Sequence, residues 1–299
     1  MRFALAALSL ALAVPAGALA APRLKAAPVA AEVLAQSRPE EWRTVDPRNL
    51  LVMRLAGGGE VLIELADFAA PQALANIRAL VGQGYFDGLA VLRVQDNYVT
   101  QWGDPQSGKP EAKPLGQAKA AIPPEWAVPR SAAAGFHPLP DRDIYAREAG
   151  VWQGFPAGRD KREAWLTHCY GMVGVGRDNA PDSGSGQELY VVIGHAPRHL
   201  DRNITLVGRV LEGMPHLSAL PRGSGPAGFY TEAEAKPGIV SVRLAADLPS
   251  PPQLEALRPE SASFAALVEA RRNRREPWFH RPAGGADVCN LLLPVRRKG

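Results

Sequence analysis

The chain has 299 residues, which is enough for one large domain or two small ones. Its 34 basic and 30 acidic residues leave a net charge of +4, a mild excess that does not by itself indicate a nucleic-acid partner. Although 46% of the residues are hydrophobic, no apolar run reaches the roughly 18 to 20 residues that span a bilayer, so we expect no stable membrane insertion.

Residues 1–20 have the pattern of a secretory signal peptide. A positive charge at Arg2 is followed by an apolar run, a helix breaker and small residues. We expect cleavage before Ala21 and a mature protein that is periplasmic or secreted. Residues 21–44 are rich in alanine, proline and charged residues, which predicts a leader without a core pattern of its own.

Order is predicted to begin near Asn49 with a β-hairpin. The apolar runs LLVMRLA and EVLIELA flank the glycines at 57–59, and such a turn needs a positive φ. A helix is predicted from Pro71, because apolar residues recur at i, i+3, i+4 and i+7 before glycines stop the pattern. Many short apolar runs follow and helices are few, which favours a mainly β fold built on a closed antiparallel barrel.

Two segments lie outside this pattern. Residues at about 106–164 are dense in proline, glycine and charge, which predicts a long loop insertion packed on the barrel rim rather than a second domain. Residues 247–299 are predicted to form a C-terminal extension with one amphipathic helix, SASFAALVEA. A basic run follows that helix and fits its cation-favouring end better than a nucleic-acid site; it contains Arg271, Arg272, Arg274 and Arg275.

The two cysteines are Cys169 and Cys289. In an exported protein they could form a single disulfide that ties the C-terminal tail to the middle of the chain. The alternative is two buried free thiols that behave as small hydrophobic side chains. Their spacing leaves both possibilities open.

Other motifs point to weaker candidates for a site. His195, His199 and Asp201 suggest a metal site, but Pro197 prevents a helix that would bring both imidazole rings to one face, so we expect no metal. The run GMVGVGRDN lacks the third glycine of a dinucleotide-binding loop, and no helix pattern follows it. No serine or cysteine nucleophile has a recognisable catalytic context.

Several ordered blocks between about Leu50 and Leu244 resemble the cyclophilin family. They are GYFDGLAVLRVQDNYVTQWGDP, SGSGQELYVVIG and RHLDRNITLVGRVLEGM. The resemblance implies a closed, eight-stranded antiparallel barrel capped by two helices, with residues 45–246 as the isomerase domain around the insertion. It also implies peptidyl-prolyl cis-trans isomerase activity, which needs no cofactor because no atom or electron is transferred.

The resemblance also implies roles for individual residues. Arg93 matches the catalytic arginine of the family, and Gln101 matches the glutamine that orients it. The family's histidine before that arginine is Leu92 here, and its pocket aromatic is matched to Leu189. The residues matched to substrate-binding positions are Tyr98, Val99, Gly176, Arg177, Leu189, His199, Leu200 and Ile204. Because His199 stands where the family has a cyclosporin-binding tryptophan, we expect weak binding of that drug.

The chemistry of prolyl isomerisation fits these residue types. Rotation about the bond meets a barrier of roughly 18 to 20 kcal/mol. A catalyst needs an apolar slot for the proline ring and a donor to the nitrogen as it becomes pyramidal. A guanidinium suits that role because it stays charged and its geometry is fixed. We therefore expect a monomeric isomerase that acts on proline-containing polypeptides outside the cytoplasm. The alternative is a cyclophilin-fold binding module or chaperone-like factor with little or no turnover.

Overall fold

The computed structural model describes residues 29–107, 109–291 and 293–298. The predicted signal peptide and the first part of the leader, up to residue 28, lie outside the described residues. The described chain is mainly β, as the sequence predicts. Its strands are β1 (Trp42–Thr44), β2 (Leu50–Leu55), β3 (Glu60–Leu65), β4 (Ala90–Val94), β5 (Val99–Gly103), β6 (Val128–Pro129), β7 (Phe136–Pro138), β8 (Glu148–Trp152), β9 (Phe155–Arg159), β10 (Glu163–Leu166), β11 (Met172–Val175), β12 (Leu189–Val192), β13 (Leu206–Glu212), β14 (Ile239–Leu244), β15 (Leu254–Leu257) and β16 (Val295–Arg297).

The helices are few and short. None of those in the described part of the chain is long and apolar enough to cross a bilayer. They are α1 (Ala30–Ala35), α2 (Pro71–Gly82), α3 (Met214–Ser218) and α4 (Ala262–Arg272).

Eight strands form a barrel in the order β14-β2-β3-β13-β11-β12-β5-β4. All seven neighbouring pairs are antiparallel. The predicted hairpin joins β2 to β3, and Gly58 takes a φ of 87° in its turn. Across the open seam between β4 and β14, Ile239 N–H donates to Leu89 O over 2.8 Å and Gly88 N–H donates to Ile239 O over 2.9 Å. The predicted eight-stranded antiparallel barrel is therefore confirmed, as a nearly closed one.

Two helices close the barrel core, as the resemblance implies. The apolar stripe of α2 is fully buried against the strands, with Leu74, Ile77 and Leu80 all at 0% exposure. The shorter α3 adds Leu217 to the same core. At the first turn of α2, the carboxylate of Glu125 accepts hydrogen bonds from two free backbone N–H groups, which is the charge that a helix N-terminus favours.

The insertion differs from the prediction of a long loop. It contains a second sheet in the order β6-β10-β9-β8-β7. Trp152 and Phe155 of this sheet pack edge-on against Phe68 beside the barrel, in a separate apolar core. These strands have two to five residues each, which is too short for an alternation of polar and apolar residues to be recognised. The sheet was therefore not predictable from the sequence pattern of its strands.

The leader and the C-terminal extension form one sheet, although the sequence analysis treated them as two independent segments. Within the predicted leader, α1 and β1 are ordered, and β1 pairs with β15 of the extension, with Trp42 opposite Leu257. β16 completes this three-stranded sheet. Order therefore begins well before Asn49. The two ends stabilise each other, and a periodicity search within either segment cannot detect a partner that lies far away in the chain.

The C-terminal extension is fixed to the rest of the molecule by covalent and ionic links. Cys169 and Cys289 form a disulfide, the first of the two alternatives. The predicted amphipathic helix is α4, and Ser261 caps it by accepting from Phe264 N–H. Arg272, in the basic last turn, pairs with Asp141 of the insertion.

Candidate active site

Arg93 projects from β4 onto the outer face of the barrel because the strand contains a bulge. Val91 pairs with Trp102 and faces the core, whereas Arg93 pairs with Gln101, so Leu92 is the extra residue. If Leu92 took its place in the regular alternation of the strand, Arg93 would share the face of Val91 and turn toward the core. The bulge therefore places the guanidinium beside Gln101.

Arg93 is held by hydrogen bonds from three sides. Its Nη1 donates to Gln101 Oε1 over 3.2 Å, its Nε donates to Ala227 O over 2.7 Å, and its Nη2 donates to Gln95 Oε1. Burial lowers the pKa of Arg93, although an arginine stays protonated at physiological pH even so. The guanidinium is a fixed cation at the edge of a pocket.

Two aromatic rings accompany this cation. The guanidinium carbon lies 5.4 Å from the ring centre of Tyr98 and 5.3 Å from that of Phe229. Phe229 is 41% exposed, and sequence reasoning missed it. Ala227, two residues before it, has a left-handed φ of 53°, so a tight turn presents both the Ala227 carbonyl and the Phe229 ring to Arg93. The sequence signal for this turn is the glycine- and proline-rich run GSGPAGF, which ends at Phe229.

Gln101 connects Arg93 to a partly buried acid, Glu188. Its Nε2 donates to Glu188 Oε2 over 2.7 Å, which fixes the amide so that its oxygen faces Arg93. Burial raises the pKa of Glu188, and the hydrogen bond from Gln101 only partly offsets this. Gly176 runs alongside, and a Cβ at that position would lie 3.2 Å from the Gln101 amide nitrogen.

The pocket beside Arg93 has a volume of about 490 Å³. Arg177 lines one side of it, and its Nε donates to Asn203 O over 2.9 Å. The guanidinium carbon of Arg177 lies 5.4 Å from the ring centre of Trp126 in the insertion. Eight of the ten residues proposed for the site line this pocket: Arg93, Tyr98, Val99, Gln101, Gly176, Arg177, Leu200 and Ile204.

Leu189 does not line the pocket. It is paired with Trp102 in the register of β12 and β5, and both side chains are buried in the barrel core. The next residue, Tyr190, is paired with Gln101 and lines the pocket. The sequence analysis assigned this wall position to Leu189, whereas the structure places the adjacent residue Tyr190 there, because neighbouring residues of a strand face opposite sides. The pocket keeps an aromatic wall residue.

His199 also lies outside the pocket lining. It is the middle residue of a single 3₁₀ turn, in which successive side chains point about 120° apart. Arg198 is directed inward, Leu200 lines the pocket and His199 is exposed.

No group of three or more His, Cys, Asp or Glu side chains within the described residues could hold a metal ion. Asp201, which the sequence placed near two histidines, instead accepts from the side chains of His168 and Arg198. The pocket combines apolar side chains with a fixed guanidinium and an amide. Such a site can bind and polarise a peptide without covalent chemistry.

Comparisons with known proteins agree with this geometry. A family model described as "Cyclophilin type peptidyl-prolyl cis-trans isomerase/CLD" matches residues 50–242. A probable peptidyl-prolyl cis-trans isomerase of Brucella suis biovar 1 (strain 1330) is 26% identical over 179 residues, which are 60% of this chain and 74% of that protein. Its counterpart in Brucella abortus (strain 2308) is 25% identical over the same length.

A solved structure shares the fold over most of the chain. The crystal structure of cyclophilin AquaCyp293 from Hirschia baltica superposes with a TM-score of 0.67 and 28% sequence identity. The match covers 89% of this chain and 96% of that one, so it extends well beyond the segment that the family model matches.

Proposed function

This chain belongs to the cyclophilin-type peptidyl-prolyl cis-trans isomerase family, and we propose that Arg93 is the residue through which it accelerates rotation about X–Pro bonds. The observation that supports this role is the fixed position of the guanidinium at the edge of the pocket. Gln101 holds it from one side and the Ala227 carbonyl from another.

The hydrogen-bond inventory of Arg93 leaves donors for a substrate. A guanidinium has five N–H groups. Three of them donate to Gln101, Ala227 and Gln95 within the described chain. Two remain, one on each terminal nitrogen, for a peptide in the pocket.

These donors can act selectively on the transition state. In the planar amide the nitrogen lone pair is delocalised, and it localises only as the bond twists. A hydrogen bond from Arg93 to that nitrogen is therefore stronger in the twisted state, which lowers the barrier instead of only tightening binding. Val99, Tyr190 and Ile204 form the apolar wall for the proline ring.

We also propose an exported, monomeric enzyme. The secretory pattern of residues 1–20 and the Cys169–Cys289 disulfide both support a periplasmic or secreted setting, since disulfides persist in oxidising compartments. One chain supplies the whole pocket, which supports activity without a second copy. Cell fractionation with N-terminal sequencing of the mature protein tests the setting, and light scattering after size exclusion tests the mass.

The experiment for the catalytic role compares purified wild type with Arg93→Ala and Arg93→Lys. We expect both variants to slow cis-to-trans conversion of a short Ala–Pro peptide by about tenfold or more, because lysine keeps the charge but loses the fork. Arg48→Ala is the control, since Arg48 is exposed and its guanidinium pairs with Asp46, away from the pocket.

The alternative function predicts a different result. A binding module would bind proline peptides with little acceleration, and removal of the Arg93 guanidinium would leave its slow turnover unchanged. A folded wild type without acceleration would contradict the role of Arg93 and leave the binding module as the better account.

A further inference from the structure

Tyr190 has a buried hydroxyl that points away from the pocket its ring lines. The ring packs with Val99 and Ile204, and the side chain is only 5% exposed. The hydroxyl oxygen lies 2.8 Å from Nε2 of His168, which is completely buried. The polar end of this wall residue is therefore tethered inside the protein.

The partners of His168 determine which atom carries the proton. Its Nδ1 lies 3.0 Å from Asp201 Oδ1, and a carboxylate can only accept, so Nδ1 is the protonated nitrogen. Nε2 is then the acceptor for the Tyr190 hydroxyl. Burial lowers the pKa of His168 from 6.5 and raises the pKa of Tyr190 above 10.0, so both groups are neutral at pH 7 in the folded protein.

The same chain of bonds continues to the insertion. Arg198 Nε donates to Asp201 Oδ2 over 2.6 Å, and its terminal nitrogens donate to both oxygens of Asp143 over 2.9 and 3.1 Å. The Arg198 and Asp143 side chains are each 4% exposed. Burial alone would raise the pKa of Asp143, but the hydrogen bonds and charge of Arg198, together with hydrogen bonds from the backbone N–H groups of Tyr145 and Ala146, lower the pKa.

The strand opposite Tyr190 leaves space for this arrangement. Gly174 of β11 is its register partner, and a Cβ at that position would collide with the Tyr190 hydroxyl and its ring carbon. The tethered orientation of Tyr190 thus depends on a glycine on one side and a histidine on the other.

We propose that His168 is a positioning residue that fixes the Tyr190 ring in the proline pocket, and that Asp143 connects the insertion to it through Arg198 and Asp201. This inference rests on the proposed function, because it assigns the pocket wall to that reaction. A wall residue that is already fixed loses little freedom when the proline ring binds. Loosening it weakens the ground state and the transition state alike, which raises KM and leaves kcat nearly unchanged.

The experiment measures kcat and KM by NMR exchange on an Ala–Pro peptide, and Kd by calorimetry. We expect His168→Leu and Tyr190→Phe each to raise KM and Kd about three- to tenfold with kcat within about twofold. His168→Gln, whose amide oxygen can replace Nε2 as acceptor, should restore most of the affinity. In the Tyr190→Phe background, His168→Leu should add no further loss, which a merely structural role would not predict.

Asp143→Asn tests the link to the insertion, and Asp141→Asn is its matched control. Asp141 lies two residues away and accepts from Arg272 with both carboxylate oxygens, and among the described residues it has no hydrogen bond to His168, Asp201 or Arg198. We expect only Asp143→Asn to raise KM. Equal effects of the two variants would overturn the link.

The proposal and the proposed function can fail separately. If Arg93→Ala does not slow the reaction, the catalytic role of Arg93 fails, while Kd still tests the wall. An unchanged Kd in Tyr190→Phe, or a loss in His168→Leu that persists fully in the Tyr190→Phe background, would overturn the positioning role. If His168→Leu does not fold, the KM and Kd values of Tyr190→Phe and Asp143→Asn still test the positioning role.

Discussion

Arg93 and Gln101 face each other across β4 and β5, with Arg93 Nη1 donating to Gln101 Oε1 over 3.2 Å. The pairing exists because the bulge at Leu92 moves Arg93 out of the core face. Gln101 in turn donates to Glu188 through its Nε2, so its amide oxygen faces the guanidinium.

This relationship predicts the effect of Gln101→Leu. The substitution removes one of the three fixed acceptors of Arg93 and leaves Glu188 without its donor. We expect kcat/KM to fall about tenfold, or about 1.4 kcal/mol, mainly through kcat because the guanidinium loses its orientation. Gln117→Leu, an exposed glutamine of the insertion, is the control in the same peptide assay. A change confined to KM would argue against an orienting role.

Glu188 gives a pH dependence of stability. Its pKa is raised mainly by burial, so the folded state binds a proton more tightly than the unfolded state. Stability then decreases as the pH rises from the usual glutamate value of 4.5 through the raised value. We expect Glu188→Gln to be more stable than wild type at neutral pH and equal to it near pH 4, as measured by urea unfolding. Glu232→Gln, on the surface, should show no such trend.

His168 has the opposite pH dependence. Burial lowers its pKa from 6.5, although the nearby Asp201 opposes this, and Arg198 and His199 add to the lowering. Below pH 6.5 the unfolded chain therefore takes up a proton that the folded protein does not, and stability falls. Between about pH 7.5 and pH 5, wild type should lose more unfolding free energy than His168→Gln. Parallel pH curves for the two proteins would contradict a buried neutral His168.

Gly174→Ala should disturb the pocket without removing any polar group. The added Cβ would displace the Tyr190 hydroxyl, so we expect a loss of about 1 to 3 kcal/mol in stability and a rise in KM of about threefold. Gly82→Ala is the control, because no atom lies within 4 Å of a Cβ there and the residue ends α2. Thermal unfolding and peptide titration distinguish the two variants.

The disulfide should contribute to stability through the unfolded chain. Cys169 and Cys289 are 120 residues apart, and a loop of that length is worth roughly 4 to 5 kcal/mol in the chain-entropy model. We expect the double variant Cys169→Ala/Cys289→Ala to lose about 2 to 5 kcal/mol in urea unfolding. Reduction of the wild type should give a similar loss, and an unchanged midpoint after reduction would contradict a structural disulfide.

The sequence by itself determined the barrel and most of its site. Short apolar runs, a glycine turn and one amphipathic helix identified the mainly β fold, because these signals are local. The ordered blocks then located Arg93 and Gln101, and the pair is brought together by the register of adjacent strands. The strands, the turn and the helix depend on residues that are close in the chain, and the Arg93–Gln101 pair depends on a single pairing of adjacent strands.

Only the tertiary structure decided which face each strand residue takes and which distant segments meet. A single bulge in β4 turned Arg93 outward. In β12 the pocket residue is Tyr190 and not its neighbour Leu189, because adjacent side chains of a strand face opposite sides. The pairing of β1 with β15 and the chain of bonds from Tyr190 to Asp143 join residues far apart in sequence. Such contacts leave no local sequence pattern, because the residues that form them are brought together only by the folded arrangement of the whole chain.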